Sequence, residues 1–229
     1  MHHYDVAAKV LIESCGAEII RQFVGIETEE FTIIETLPQE TVSLKRSDYP
    51  VLVKDIHGII HMIILEIQTK WNRHVPLNLL DYRTRYLLKH DHEVISCVIL
   101  LRPSNTADDC YRDNEVCFRY RLVKIYEMDA KQIISEQLIC LMPFVPLMKN
   151  GEESLTEADN LIYQSDRTKV QKADMLTSMA ILAGLISEDM PAKLIARRKD
   201  IMIESAAYDI IRTEGFQDGI QQGIQQGNP

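Results

Sequence analysis

Two carboxylates, an amide and an ammonium fall within Leu44–Lys70, LKRSDYPVLVKDIHGIIHMIILEIQTK. They are Asp48, at the start of one β-rich run, and Glu66, Gln68 and Lys70, at the end of the next. Residues i, i+2 and i+4 of a strand face the same side, so a hairpin would gather all four at one sheet edge. Metal-assisted cleavage of a phosphodiester needs little more. Carboxylates hold Mg²⁺, or Mn²⁺ in its place, and a polar or basic group positions the attacking water. Asp48 and Glu66 are the candidate metal ligands, joined by the backbone carbonyl of Ile67. Gln68 is the group that orients water or a phosphate oxygen, and Lys70 is the candidate cation. A Glu-x-Gln-x-Lys ending also suits an ordinary solvated strand end, so spacing alone leaves both readings open.

The segment after this strand adds to the set. Pro76 stands where a helix begins, and the helix is expected to run to about Lys89. On it Asn78 and Tyr82 are four apart and share a face, with Arg83 and Arg85 following. An amide and a phenol turned toward Glu66 would complete a site. The same spacing equally describes a tyrosine packed into the core with solvated arginines. Elsewhere the chain has no nucleophile-elbow serine, no glycine-rich phosphate loop and no histidine spacing typical of metal ligands.

The surrounding elements must bring these groups together. Ala7, Leu11, Cys15 and Ile19 repeat every four residues, which predicts a helix over Tyr4–Phe23 stopped by Gly25. Phe31–Val42 reads as two short strands interrupted by Leu37-Pro38-Gln39-Glu40. The hairpin follows, with strands over Tyr49–Lys54 and Ile59–Lys70 and a turn at Asp55-Ile56-His57-Gly58. Ile59–Leu65 is apolar without clean alternation, the pattern of a central strand covered on both faces. Val94–Leu101 (VISCVILL) is a second such run, and a helix between two buried strands predicts a parallel pair in a mixed sheet. Ser104–Asn114 reads as loop, Val116–Met128 as strand, and Leu138–Pro146 as an apolar connector. From Leu155 onward the pattern is helical, clearest over Val170–Ile186 and continuing at Glu204–Arg212. Four glycines spaced by four, Gly215, Gly219, Gly223 and Gly227, mark a tail that is weakly helical or disordered in isolation.

Composition bounds the function classes. The chain has 229 residues, 46% hydrophobic and 26% charged, which suits one ordinary domain, or one domain with a helical extension. No apolar run is long enough to span a bilayer, and the first residues predict no secretion signal. Five cysteines without a CxxC pair or a metal-ligand spacing predict reduced thiols and a cytoplasmic location. A net charge of −9 argues against simple electrostatic binding to DNA. The charge is uneven, though: Ser43–Arg102 holds nine Lys/Arg against six Asp/Glu, a positive face compatible with a polyanion.

Taken together, these segments resemble the Rpn group of recombination-promoting nucleases and transposase-like proteins, within the PD-(D/E)xK nuclease superfamily. Tyr4-Asp5 with Lys9 resembles the opening of that family's first helix, and Lys45-Arg46-Ser47-Asp48 resembles its Arg-x-Asp strand. Glu66-Ile67-Gln68 is similar to its Glu-x-Gln signature, Pro76–Arg85 (PLNLLDYRTR) to the following helix, and Ile203-Glu204-Ser205 with the Glu-Gly-x-x-x-Gly tail to its carboxyl end. The resemblance implies an α/β fold: a restriction-endonuclease-like αβββαβ core with a mixed central sheet over 1–150, a helical section over 151–213 and the glycine-repeat tail at 214–229. It implies a Mg²⁺-dependent DNA endonuclease linked to recombination or transposition, with Asp48 and Glu66 as metal ligands. Arg46, Asn78, Tyr82 and Arg83 would support the site or contact phosphate. Gln68 stands where the superfamily usually carries its catalytic lysine, and Asn78 where the family more often has arginine. The missing lysine and the acidic charge leave a second expectation: a silent nuclease-fold protein that acts as a DNA-associated module or self-associates through its helical end.

Overall fold

The computed structural model describes residues 2–34, 49–90, 92–205 and Tyr208. Its elements run α1 (His2–Val24), β1 (Thr28–Ile33), β2 (Tyr49–Asp55), β3 (Ile60–Gln68), α2 (His74–Leu87), β4 (Glu93–Leu100), β5 (Cys110–Arg112), β6 (Cys117–Arg119) and β7 (Arg121–Lys124). Helices α3 (Ala130–Ser135), α4 (Gly151–Gln164), α5 (Lys169–Ala183) and α6 (Met190–Met202) follow. The protein is mixed α/β. The chain divides into two compact units, one comprising residues 15–129 and 147–149, the other residues 1–14, 130–146 and 150–229.

The sheet lies in the first of these units. Five strands are ordered β1-β2-β3-β4-β7. β1–β2 and β2–β3 are antiparallel, whereas β3–β4 and β4–β7 are parallel. The buried runs of β3 and β4 therefore sit at the centre, as their lack of alternation predicts. Ile63, Ile64, Leu65, Cys97, Val98, Ile99 and Leu100 have no solvent exposure. Helix α2 supplies the crossover that a parallel pair requires. Its Val75, Leu79, Tyr82 and Tyr86 pack with Met62 and Ile64 of β3 and Val94 and Val98 of β4. α1 runs to Val24 and stops at Gly25, whose φ of +70° glycine adopts without strain. The Arg121 guanidinium donates to the Val24 carbonyl, a cation at the negative end of the helix dipole.

The hairpin turn is fixed by Asp55. Its Oδ1 accepts the backbone N–H groups of His57 at 2.9 Å and Ile59 at 2.8 Å, and its carbonyl accepts Gly58 N–H at 2.9 Å. Gly58 has φ of +79°, which an L side chain rarely tolerates. Asp55 Oδ2 lies 3.0 Å from His61 Nε2, and both residues are buried.

Some elements differ from expectation. β1 begins at Thr28, three residues before the apolar pattern suggests, because Thr28 and Glu30 pair with Asp55 and Lys54 and not with a buried layer. The polar stretch expected to be loop includes β5, which pairs with β6 in a separate two-stranded sheet. The connector is a 3-10 stretch, Ile139–Leu147, containing Pro143 and Pro146. α6 starts at Met190 with Pro191 in its first turn, a position where proline's missing N–H costs nothing. The second strand expected within Phe31–Val42, most of the helix expected at Glu204–Arg212 and the glycine tail lie outside the described residues. Among the described residues no helix is long and apolar enough to cross a membrane. Cys97, Cys110 and Cys117 are free, as a reduced chain requires; Cys15 and Cys140 are not free thiols and depart from that expectation.

In the helical unit, α5 opens on a capping box. Thr168 Oγ1 accepts Gln171 N–H at 3.2 Å, and Gln171 Oε1 accepts Thr168 N–H at 3.1 Å. α4 and α6 are tied by Asp159, which is fully buried. Its Oδ2 takes Arg198 Nη2 at 2.7 Å, Arg198 Nε at 2.9 Å and Arg197 Nε at 3.2 Å, while the Arg198 guanidinium lies 4.1 Å over the Tyr163 ring.

Two outcomes follow. Asp159→Ala leaves two guanidinium groups without their carboxylate and lowers unfolding free energy by about 3 kcal/mol in urea titration. The His61 hydrogen bond, with those from Ile59 and His57, holds the Asp55 carboxyl below its ordinary value. Its contribution is then complete above the unfolded value, about 3.9, and is lost as pH falls through the lower folded value. Urea titrations across acid pH show a shallower decline in stability for Asp55→Asn than for the parent.

Candidate functional site

The alternation of β3 decides which residues meet. Met62, Ile64, Glu66 and Gln68 have the same parity, and Met62 and Ile64 lie under α2. Glu66 and Gln68 therefore continue that face toward the carboxyl end of the strand. Glu66 is 5% exposed and sits opposite Val98 of β4, with Gln68 opposite Leu100. The Gln68 carboxamide donates through Nε2 to Glu66 Oε2 at 3.2 Å. A carboxylate this buried needs compensation, and the amide supplies part of it without adding charge. Beyond Gln68 the strand bends at Thr69 and Lys70, and Lys70 is exposed.

The other candidate residues are distributed unevenly. Arg46 and Asp48 lie outside the described residues. Tyr82 is 3% exposed and belongs to the apolar cluster with Met62, Ile64, Leu79 and Tyr86, so its ring packs in the core. Asn78, half-buried, lies one turn nearer the amino end of α2, the end that directly follows β3. Arg83 is directed elsewhere. Its guanidinium donates to the carbonyl of Val94, whose partner in β3 is Met62, four residues before Glu66. At the strand rise of ~3.3 Å per residue that is about 13 Å from the carboxylate. The structure therefore brings Glu66 and Gln68 together, leaves Asn78 on the neighbouring helix turn, and turns Arg83 away.

Arg83 instead lines a cavity of about 580 Å³ beside the amino-terminal half of β4, with Ser96, Cys117, Arg119 and Arg121. β6 lies within the expected strand run Val116–Met128, whereas β5 lies in the expected loop, so their pairing is not legible from the sequence. In that hairpin the repeated tripeptides Cys110-Tyr111-Arg112 and Cys117-Phe118-Arg119 alternate in step, placing two thiols and two arginines on one face.

The donors at the end of β3 are oxygen atoms, the kind Mg²⁺ and Mn²⁺ prefer. Glu66 contributes a carboxylate and Gln68 a carboxamide oxygen, so the residues present fit one side of such a site. Among the described residues no group of three or more His, Cys, Asp and Glu gathers to hold a metal.

Because the Tyr82 ring packs among core side chains, Tyr82→Ala costs about 3–4 kcal/mol of stability in urea titration. A loss below about 1 kcal/mol would show that the ring contributes little packing there. Compared with known proteins, the chain matches no family model, and no curated protein or solved structure matches it.

Proposed function

We propose that the protein is a metal-dependent DNA endonuclease that hydrolyses phosphodiester bonds at the carboxyl end of β3. The observation that carries this reading is the buried Glu66 carboxylate beside Gln68, at the end of a strand held in a parallel pair. In open α/β sheets, ligands bind outside the carboxyl ends of parallel strands, where a helix begins. The element order α1-β1-β2-β3-α2-β4 is that of the αβββαβ core implied by the resemblance to Rpn nucleases, and supports the restriction-endonuclease-like assignment. The net positive charge of Ser43–Arg102 suits DNA as the substrate.

On this reading Asp48 and Glu66 hold the metal, Mg²⁺ or Mn²⁺. The ion, when bound, neutralises charge on the scissile phosphate and lowers the pKa of water. Glu66 is kept in one orientation by the Gln68 amide and by burial, which reduces the reorganisation needed at the moment of reaction. Gln68 presents its carboxamide to water or to a phosphate oxygen. Lys70, two residues further on, is the cation nearest in sequence.

The second reading is a catalytically silent nuclease-fold protein that binds DNA or self-associates. Gln68 favours it, since a neutral amide cannot provide the charge that a lysine supplies in such sites.

Purified Glu66→Gln and Asp48→Ala variants are expected to lose Mg²⁺-dependent plasmid nicking by at least ~100-fold while keeping the parent circular dichroism spectrum. Undiminished cleavage by either variant sinks the assignment. Calorimetric titration with Mn²⁺ separates the readings: the nuclease shows saturable binding that both substitutions abolish, and the silent module shows none.

A further inference from the structure

The β5–β6 hairpin presents two chemically different faces. Tyr111 and Phe118 are directly opposite each other and pack against the cluster containing Tyr82, Tyr86 and Tyr120. The other face carries Cys110, Arg112, Cys117 and Arg119. Arg112 is paired with Cys117 and Cys110 with Arg119, so the two cysteines are diagonal neighbours. Their sulfur atoms are 3.7 Å apart, both thiols are free, and Cys117 is exposed. The Arg112 guanidinium donates through Nη2 to Cys117 Sγ at 3.8 Å.

These contacts make the two thiols unequal. Hydrogen bonds from Arg112 and Cys110 hold the Cys117 thiol below its ordinary value, with the charges of Arg112 and Arg119 acting the same way. The Cys110 thiol is raised, by loss of solvation and by its Cys117 neighbour. A thiolate beside arginine with a second thiol in contact is the arrangement of an attacking and a resolving cysteine. Cys97 provides the contrast within the same unit. It is fully buried, and burial pushes its thiol up to about 12.

We propose that Cys110 and Cys117 form a redox-active dithiol that small-molecule disulfides oxidise to an intramolecular disulfide. Cys117 Sγ, as thiolate, attacks one sulfur of the small disulfide. That S–S bond breaks, one thiolate leaves and takes up a proton, and Cys117 is left in a mixed disulfide. Cys110 then loses its proton and attacks Cys117 Sγ, and the second small thiol departs protonated. Two protein thiols are oxidised and one disulfide is reduced to two thiols. The sulfurs must close from 3.7 Å to about 2.05 Å, a movement that side-chain rotation and a small shift of a three-residue-per-strand hairpin accommodate. Diagonal neighbours lie at or just beyond the separation a relaxed disulfide spans, so closure takes a small backbone shift and an added dithiol reduces the bond readily.

The test is incubation of the purified full-length protein with oxidised glutathione, followed by mass analysis and non-reducing peptide mapping. The parent is expected to lose two hydrogens and yield a Cys110–Cys117 linked peptide that dithiothreitol reverses. Cys110→Ser stops at a glutathione adduct on Cys117, and Cys117→Ser reacts at least ~10-fold more slowly. Arg112→Ala raises the pH of half-maximal Cys117 alkylation by iodoacetamide, and Arg112→Lys restores part of the shift, a response that a purely structural role for Arg112 does not produce. An unmodified Cys97 reports an intact core in every sample. A parent that stops at a stable adduct, reacts first at Cys110, or does not react at either residue overturns the proposal.

Discussion

The parallel pairing of β3 with β4, unbroken from His61↔Glu93 to Gln68↔Leu100, is the constraint from which the sheet unit follows. Parallel neighbours cannot be joined by a tight turn, so a helix must cross one face, and α2 does so within the 24 residues that separate the two strands, 69–92. A face covered by a helix must be apolar, which is why Met62, Ile64, Val94 and Val98 meet Leu79, Tyr82 and Tyr86 there. The other face is buried as well, through Ile63, Leu65, Cys97 and Ile99. Two strands buried on both sides leave a polar side chain few places to emerge. The carboxyl end of β3 is one of them, and there the buried Glu66 and the half-buried Gln68 break the apolar run.

The amino end of β3 solves a related problem differently. His61 points from a largely buried position to Asp55 across the hairpin, and Asp55 in turn ties down the turn through two backbone N–H groups. Every polar atom of the Asp55 carboxylate thus serves the loop's geometry. His61 Nδ1 faces the exposed Glu93 at 3.6 Å, beyond hydrogen-bond reach, so the pair functions as a structural clasp anchored on one side. The two ends of one strand carry similar residue types. At one end they fasten the chain, and at the other the carboxylate accepts a hydrogen bond from the neutral amide of Gln68.

Periodicity made α1 and α2 legible because each buries a face at a repeat of 3.6, and β3 and β4 were legible as apolar runs without alternation, covered on both faces. The strand ends of the hairpin fell within a residue or two because Asp55 and Gly58 have one dominant use in a tight turn. β6 lies within the expected strand run Val116–Met128, but β5 was hidden by its composition. Cys-Tyr-Arg alternates correctly, but a three-residue strand between charged residues looks like loop until its pairing is known. The reach of Arg83 to the Val94 carbonyl is not legible in the sequence. A residue one position past Tyr82 is turned by about 100°, and its long side chain reaches back to the Val94 carbonyl. Asn78 and Tyr82 do share a face, yet that face is mainly core, so a correct periodicity carried two meanings that only packing separates.

Gln68 makes cation binding and turnover separable properties of the proposed site. A lysine there would pair with Glu66, compensate the buried carboxylate fully, and leave positive charge beside the reacting phosphate. The amide donates one hydrogen bond at 3.2 Å and adds no positive charge, so the proposed site would offer the transition state less than a lysine does. Lys70 has the right alternation but sits in the bend past the end of the strand, exposed, where solvent screens its charge. Charge neutralisation in hydrolysis would then fall mainly to the metal. Such an enzyme would turn over slowly unless the phosphate itself, by drawing Lys70 inward, completed the site.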